Sequence, residues 1–87
     1  MPAQYTPTYR EQLNAWQQRA TDRAVEFDDT DLGKGGWKSI VLINGVSHGG
    51  GISATKNRAH EGASYWALVK LGVVVGPPEA DFQEDES

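Results

Sequence analysis

The dipeptide Asn44-Gly45 constrains this chain more than any other feature. It follows Trp37 to Ile43, WKSIVLI, a run rich in β-branched residues. A two-residue Asn-Gly link takes positive φ at both positions and matches the twist of the strands on either side. The pair therefore predicts a hairpin, with Trp37 to Ile43 as one arm and Val46 to His48 as the other. The second arm is expected to be short, because Gly49, Gly50 and Gly51 follow it and glycine weakens a strand.

Upstream, AVEFDD alternates, with Val25 and Phe27 on one side and Glu26 and Asp28 on the other. Period two predicts a half-buried strand. DTDLGKGG (29–36) reads as the loop that joins it to Trp37. Three strands with short links make an antiparallel meander, and its apolar face needs a second layer.

Two helical patterns supply that layer. Tyr9, Leu13, Trp16 and Ala20 recur at spacings of four, three and four, which predicts a helix from about residue 8 to 20. Thr8 and Glu11 have capping-box spacing at its start. The second helix is expected over about 56–71, with Thr55 or Ser53 as N-cap and Gly72 just past its end. Ala59, Ala63, Trp66, Ala67 and Leu71 form its buried arc. The expected fold is α+β, an α-β-β-β-α two-layer sandwich: a three-stranded antiparallel sheet with both helices on one face. The domain would run from about 8 to 76. Residues 1–7 read as a flexible lead, and 77–87, opened by Pro77 and Pro78, as an acidic disordered tail.

Composition narrows the function classes. Eighty-seven residues allow one domain. There is no cysteine, which excludes disulfides, a thiolate nucleophile and cysteine-ligated zinc. No apolar run approaches a membrane span, and the N-terminus lacks a secretory-type segment, so an intracellular protein without a membrane partner is expected. The net charge of −4 conceals polarity. Glu79, Asp81, Glu84, Asp85 and Glu86 lie in the last ten residues, and without them the balance is 8 − 7 = +1. Asp22, Glu26, Asp28, Asp29 and Asp31 cluster in the first half, whereas Lys34, Lys38, Lys56, Arg58 and Lys70 follow them. One face is therefore expected to be basic.

Catalytic and cofactor patterns are absent. GKGG (33–36) does not open a helix and lacks the spacing of a phosphate loop, and no G-x-G-x-x-G occurs. Ser47 and His48 have no marked orienting group, so they read as a polar strand end. The two histidines and the acids at 28, 29 and 31 fit neither a zinc set nor a calcium loop. No enzyme activity, cofactor or metal is expected. Trp16 and Trp66 read as core, and Trp37 as packing at the start of its strand.

Taken together, the order and the residues resemble the double-stranded RNA-binding domain family over about residues 8–72. LNAW (13–16) matches the family's Leu-Asn-Glu-aromatic element except at Ala15. TKNRAHEGASYWALVKL (55–71) aligns without gaps to the family's C-terminal motif, Ser-Lys-Lys-x-Ala-Lys-x-x-Ala-Ala-x-x-Ala-Leu-x-x-Leu. Thr55 takes the serine place, and Lys56, Asn57 and His60 the three lysine places. Ala59, Ala63, Ser64, Ala67, Leu68 and Leu71 take the scaffold places.

The resemblance implies non-catalytic binding of double-stranded RNA by shape, through phosphate and 2′-hydroxyl contacts and without sequence preference. Such recognition follows from the geometry of A-form RNA, whose deep major groove side chains cannot read. The implied contacts are Lys56, Asn57 and His60 to phosphate, with Arg58 one place along. Glu11, Gln12 and Asn14 would lie near one minor groove, and Lys34 within Gly33–Gly36 near the other. The chain departs from the family at these contacts. Ala15 replaces a glutamate, Asn57 carries no charge, and the loop 33–36 has neither proline nor histidine. Weak binding is the expectation. The alternative is a protein-interaction or homodimerisation module on the same fold that has lost RNA binding.

Overall fold

The computed structural model describes residues 7–73 and 83–84. The order is α1 (Tyr9–Gln18), β1 (Val25–Asp31), β2 (Trp37–Ile43), β3 (Val46–Ser53), α2 (Lys56–Lys70) and β4 (Gln83–Glu84). Strands β1, β2 and β3 form the expected antiparallel meander, and the two helices cover it, so the α+β sandwich is present. The two-residue β4 adds to β3 by pairing Glu84 with Gly51 and Gln83 with Ile52. It falls within the stretch expected to lack regular structure. An unpaired strand edge offers a row of donors and acceptors that a passing segment can satisfy. The other residues of the expected tail, 77–82 and 85–87, and residues 1–6 of the lead lie outside the described residues.

The turn between β2 and β3 follows from its residues. Asn44 has φ of 52° and Gly45 of 82°, the pair of left-handed conformations of a type I′ hairpin. Strand β1 runs to Asp31, two residues further than its alternation indicated. One turn of 3-10 helix, Gly33–Gly35, then leads to β2.

Strand β3 departs most from expectation. It continues through all three glycines to Ser53. A Cβ at Gly49 would lie against the Ala67 nitrogen and 2.8 Å from the Ala63 oxygen, and one at Gly51 would lie 2.7 Å from the Ala63 nitrogen. Helix α2 therefore rests directly on the β3 backbone, with its alanines over the glycines. The close approach that weakens an isolated strand is here the reason for glycine. A register shift between Val41 and Leu42 leaves His48 as the extra residue of a bulge.

The core is Leu13, Val41, Ile43, Ala63, Ala67 and Leu68, with Tyr9, Trp16, Val25, Phe27, Leu71 and Val73 packed around it. Of the arc expected on α2, Ala59, Ala63 and Ala67 are fully buried and Trp66 and Leu71 are half-buried. His60, Ser64, Tyr65 and Leu68 join the buried set. The helix ends in a Schellman motif, with Gly72 at φ of 78° and Val73 N–H donating to the Leu68 carbonyl at 3.0 Å.

The two helices are tied at the start of α1. Thr8 and Glu11 form the capping box that their spacing predicts. The next donors are met from α2, because the Glu61 carboxylate accepts from Tyr9 N–H at 2.8 Å and Arg10 N–H at 3.1 Å. A carboxylate facing a helix N-terminus also suits the helix dipole. Tyr9 adds an edge-on contact with Tyr65, with ring centroids 5.0 Å apart.

Candidate nucleic-acid interface

The first turn of α2 holds Lys56 in solvent and Arg58 half-buried. Thr55 caps it, accepting from Arg58 N–H at 3.2 Å. Lys56 and Asn57 follow, both exposed. The Lys56 side chain is 53% exposed, its Nζ 3.8 Å from Asp29 Oδ2 and 5.6 Å from the centre of the Trp37 ring. Trp37 is half-buried, in keeping with packing at the strand start. An ion pair this long and this exposed contributes little, so the ammonium remains available to an incoming anion.

The loop that carries Lys34 ends beside this turn. A Cβ at Gly36 would lie against the Ser53 carbonyl oxygen and 3.1 Å from Ala54 Cα. The β1–β2 loop therefore presses on the short lead into α2. Lys34 stands exposed at the middle of the 3-10 turn.

On the other side of the α2 start, a groove of about 660 Å³ joins it to α1 and β1. Leu13, Val25 and Phe27 line it with apolar surface, and Glu11, Asn14, Asn57, Arg58 and Glu61 are among its polar lining. Four candidate residues from two distant segments, Glu11, Asn14, Asn57 and Arg58, are thus brought together. Gln12 is half-buried and not part of this lining, and its Nε2 donates to the Pro7 carbonyl at 3.3 Å. The Glu11 carboxylate accepts from Thr8 N–H at 2.8 Å in the capping box.

His60 is the candidate that the structure removes from the phosphate set. Its side chain is 11% exposed and faces the sheet. The ring stacks on Phe27 at 4.5 Å and 26°. Its Nε2 lies 2.7 Å from Asp29 Oδ1, which also accepts from Ser39 Oγ at 2.8 Å. An ionised carboxylate only accepts hydrogen bonds, so Nε2 is the donor in that pair. The other ring nitrogen, Nδ1, is buried with no partner among the described residues. Burial alone would raise the Asp29 carboxyl. The hydrogen bonds from His60 and Ser39, helped by the electrostatic attraction of His60 and Lys56, outweigh it and hold the group below its ordinary value. Sequence reasoning missed this cluster because Asp29, Ser39 and His60 come from three separate elements. The available signal was the position of His60, four residues before Ser64 and eight before Leu68, on an arc that faces the sheet.

Among the described residues, no group of three or more His, Asp or Glu side chains is placed to hold a metal ion. No helix among them is long and apolar enough to cross a membrane. Neither a protein-family model nor a curated protein matches the sequence.

Proposed function

We propose that this chain binds double-stranded RNA without catalysis, by shape and by contacts to phosphate and 2′-hydroxyl groups. The observation that carries the reading is the clustering at the start of α2. Asn57 and Arg58 share a groove with Glu11 and Asn14 of α1, and Lys56 stands beside Trp37, next to the loop that bears Lys34. Duplex RNA calls for such a set, with cations for phosphates and amide or carboxylate groups for the 2′-hydroxyls of a minor groove. The phosphate set is Lys56, Arg58 and Lys34, with Asn57 as an uncharged donor. Its small size implies weak binding with a shallow salt dependence.

Titration with a duplex RNA of about 20 base pairs, a length that exceeds one domain's span of about 16, tests the reading. Duplex DNA is titrated alongside, at two salt concentrations. The expected result is a preference for RNA, weakening with salt, and a fall in the salt slope of about one unit in Lys56→Ala. Absence of binding at low salt, together with a concentration-dependent dimer by ultracentrifugation, would favour the alternative interaction module. His60 faces Asp29 rather than solvent, so a role as a direct phosphate contact is not proposed.

A further inference from the structure

Strand β1 is an edge, pairing with β2 on one side and with no strand on the other among the described residues. Its hydrogen-bonding phase is set at both ends. Asn44 N–H donates to the Ala24 carbonyl at 2.9 Å, and Leu32 N–H to the Gly36 carbonyl at 2.8 Å. The even-numbered residues therefore turn their backbone groups toward β2. The odd-numbered ones, Val25, Phe27 and Asp29, turn theirs outward. The outward Val25 N–H is met by a side chain, Gln17 Oε1 at 2.8 Å. Gln17 thus takes the place of a missing strand at one position. At Phe27 and Asp29 no such substitute is seen among the described residues.

The same edge borders the 660 Å³ groove, in which Val25, Phe27 and Leu13 supply the apolar surface. Glu26, Asp28 and Thr30 project from the opposite face of β1 and are exposed. An added strand would alternate between these two environments. Side chains pointing to the helix layer would meet Leu13, Val25 and Phe27, with Arg10 and Arg58 at the rim beside Glu11 and Glu61. Side chains pointing the other way would meet Glu26 and Asp28. Acids on an edge repel a second copy of the same strand. They do not repel a basic one.

We propose that the β1 edge and this groove capture an extended segment of another protein, in which basic and apolar residues alternate. Main-chain hydrogen bonds to Phe27 and Asp29 hold it, its apolar residues fill the groove, and its lysines or arginines pair across the sheet with Glu26 and Asp28. The pattern is specific in both directions. A basic residue turned inward would leave the apolar surface of Leu13, Val25 and Phe27 unfilled, and an apolar one turned outward would leave the two acids unpaired. This inference does not depend on RNA binding, since it rests on β1 and on the groove's apolar surface.

The test uses the full chain and a nine-residue capped peptide that alternates arginine and valine. The control is a peptide of the same composition with its valines grouped together. Calorimetric titration is expected to show binding of the alternating peptide at least about tenfold tighter than the control, the size two favourable cross-strand charge pairs and a filled groove can supply. The doubly reversed variant Glu26→Lys, Asp28→Lys changes exposed side chains. It is expected to lose that preference and to gain affinity for an alternating glutamate–valine peptide. Hydrogen exchange is expected to slow at the Phe27 and Asp29 amides when the arginine–valine peptide is bound. Equal affinity for both arginine–valine peptides overturns the proposal. So does protection that appears on β3 rather than β1, or undiminished binding by the charge-reversed variant.

Discussion

At the scale of single residues, Asp29 ties three elements together. Its carboxylate sits on β1, accepts from Ser39 on β2 and His60 on α2, and lies near Lys56. The folded-state value of this carboxyl is depressed, so its contribution to stability is complete above the unfolded value of about 3.9 and is lost as pH falls through the folded value. Asn in its place keeps an acceptor oxygen but loses the charge. We expect Asp29→Asn to destabilise the protein by about 1 kcal/mol near neutral pH, the usual worth of charge assistance in a partly buried hydrogen bond. The gap between the variant and the parent should shrink below about pH 4, where the unfolded carboxyl takes up its proton. Urea midpoints at pH 7, 4 and 2.5 check this. A gap that stays constant across that range would show that the charge of Asp29 is not what stabilises the site.

At the scale of elements, the β3–α2 contact sets the spacing of the two layers. The glycines of β3 face Ala63 and Ala67, and a Cβ at Gly49 or Gly51 meets the backbone of α2 rather than a side chain. A backbone obstacle cannot swing aside. Gly49→Ala is therefore expected to destabilise by about 2–4 kcal/mol, in the range or somewhat above that usual for overpacking in a tight core. Trimming the helix with Ala67→Gly should not restore stability, because the obstacle is the Ala67 nitrogen. Thermal melts of the single and double variants decide the matter, and recovery in the double variant would mean that the side chain is the obstacle after all. This contact also marks the limit of what the sequence disclosed. Hairpin, helices and meander were legible because each has a local signal: Asn44-Gly45, the capping box at Thr8, the period-two alternation at Val25 and Phe27. The length of β3 was not, because glycine taken by itself weakens a strand. Its partner rows were present in the chain, glycines two apart at 49 and 51 and alanines four apart at 59, 63 and 67. Two small-residue rows at strand and helix periods signal close packing only when read together. The same locality explains the candidate site. Asn57 is exposed and Arg58 half-buried at the start of α2, whereas the partner of His60, Asp29, lies thirty-one residues away, and only the spacing of His60 to Ser64 and Leu68 marked it locally as facing the sheet.

At the scale of the whole molecule, charge is the open quantity, since an acidic chain is proposed to bind a polyanion. Lys34, Lys56 and Arg58 form the local cationic set, yet the net charge is −4 and five of the twelve acids lie in the last ten residues. At an ionic strength of about 0.1 M fields extend about 10 Å, so acids that come within that range lower the attraction that an approaching duplex senses. Neutralising Glu79, Asp81, Asp85 and Glu86 as amides changes this field and leaves Gln83 and Glu84, the β4 pair, in place. The expected effect is duplex RNA affinity higher by about two- to fivefold at low salt, converging with the parent near 0.5 M as screening shortens. Filter binding or fluorescence anisotropy across a salt series reads it. A gain that persists at high salt would show that the acids act by contact rather than through the field, as expected if they compete directly for Lys56 and Arg58. No gain at any salt would mean that the field at the start of α2 is set by its neighbours, Asp29 and Glu61 foremost, and that the affinity of this surface is fixed within the fold itself.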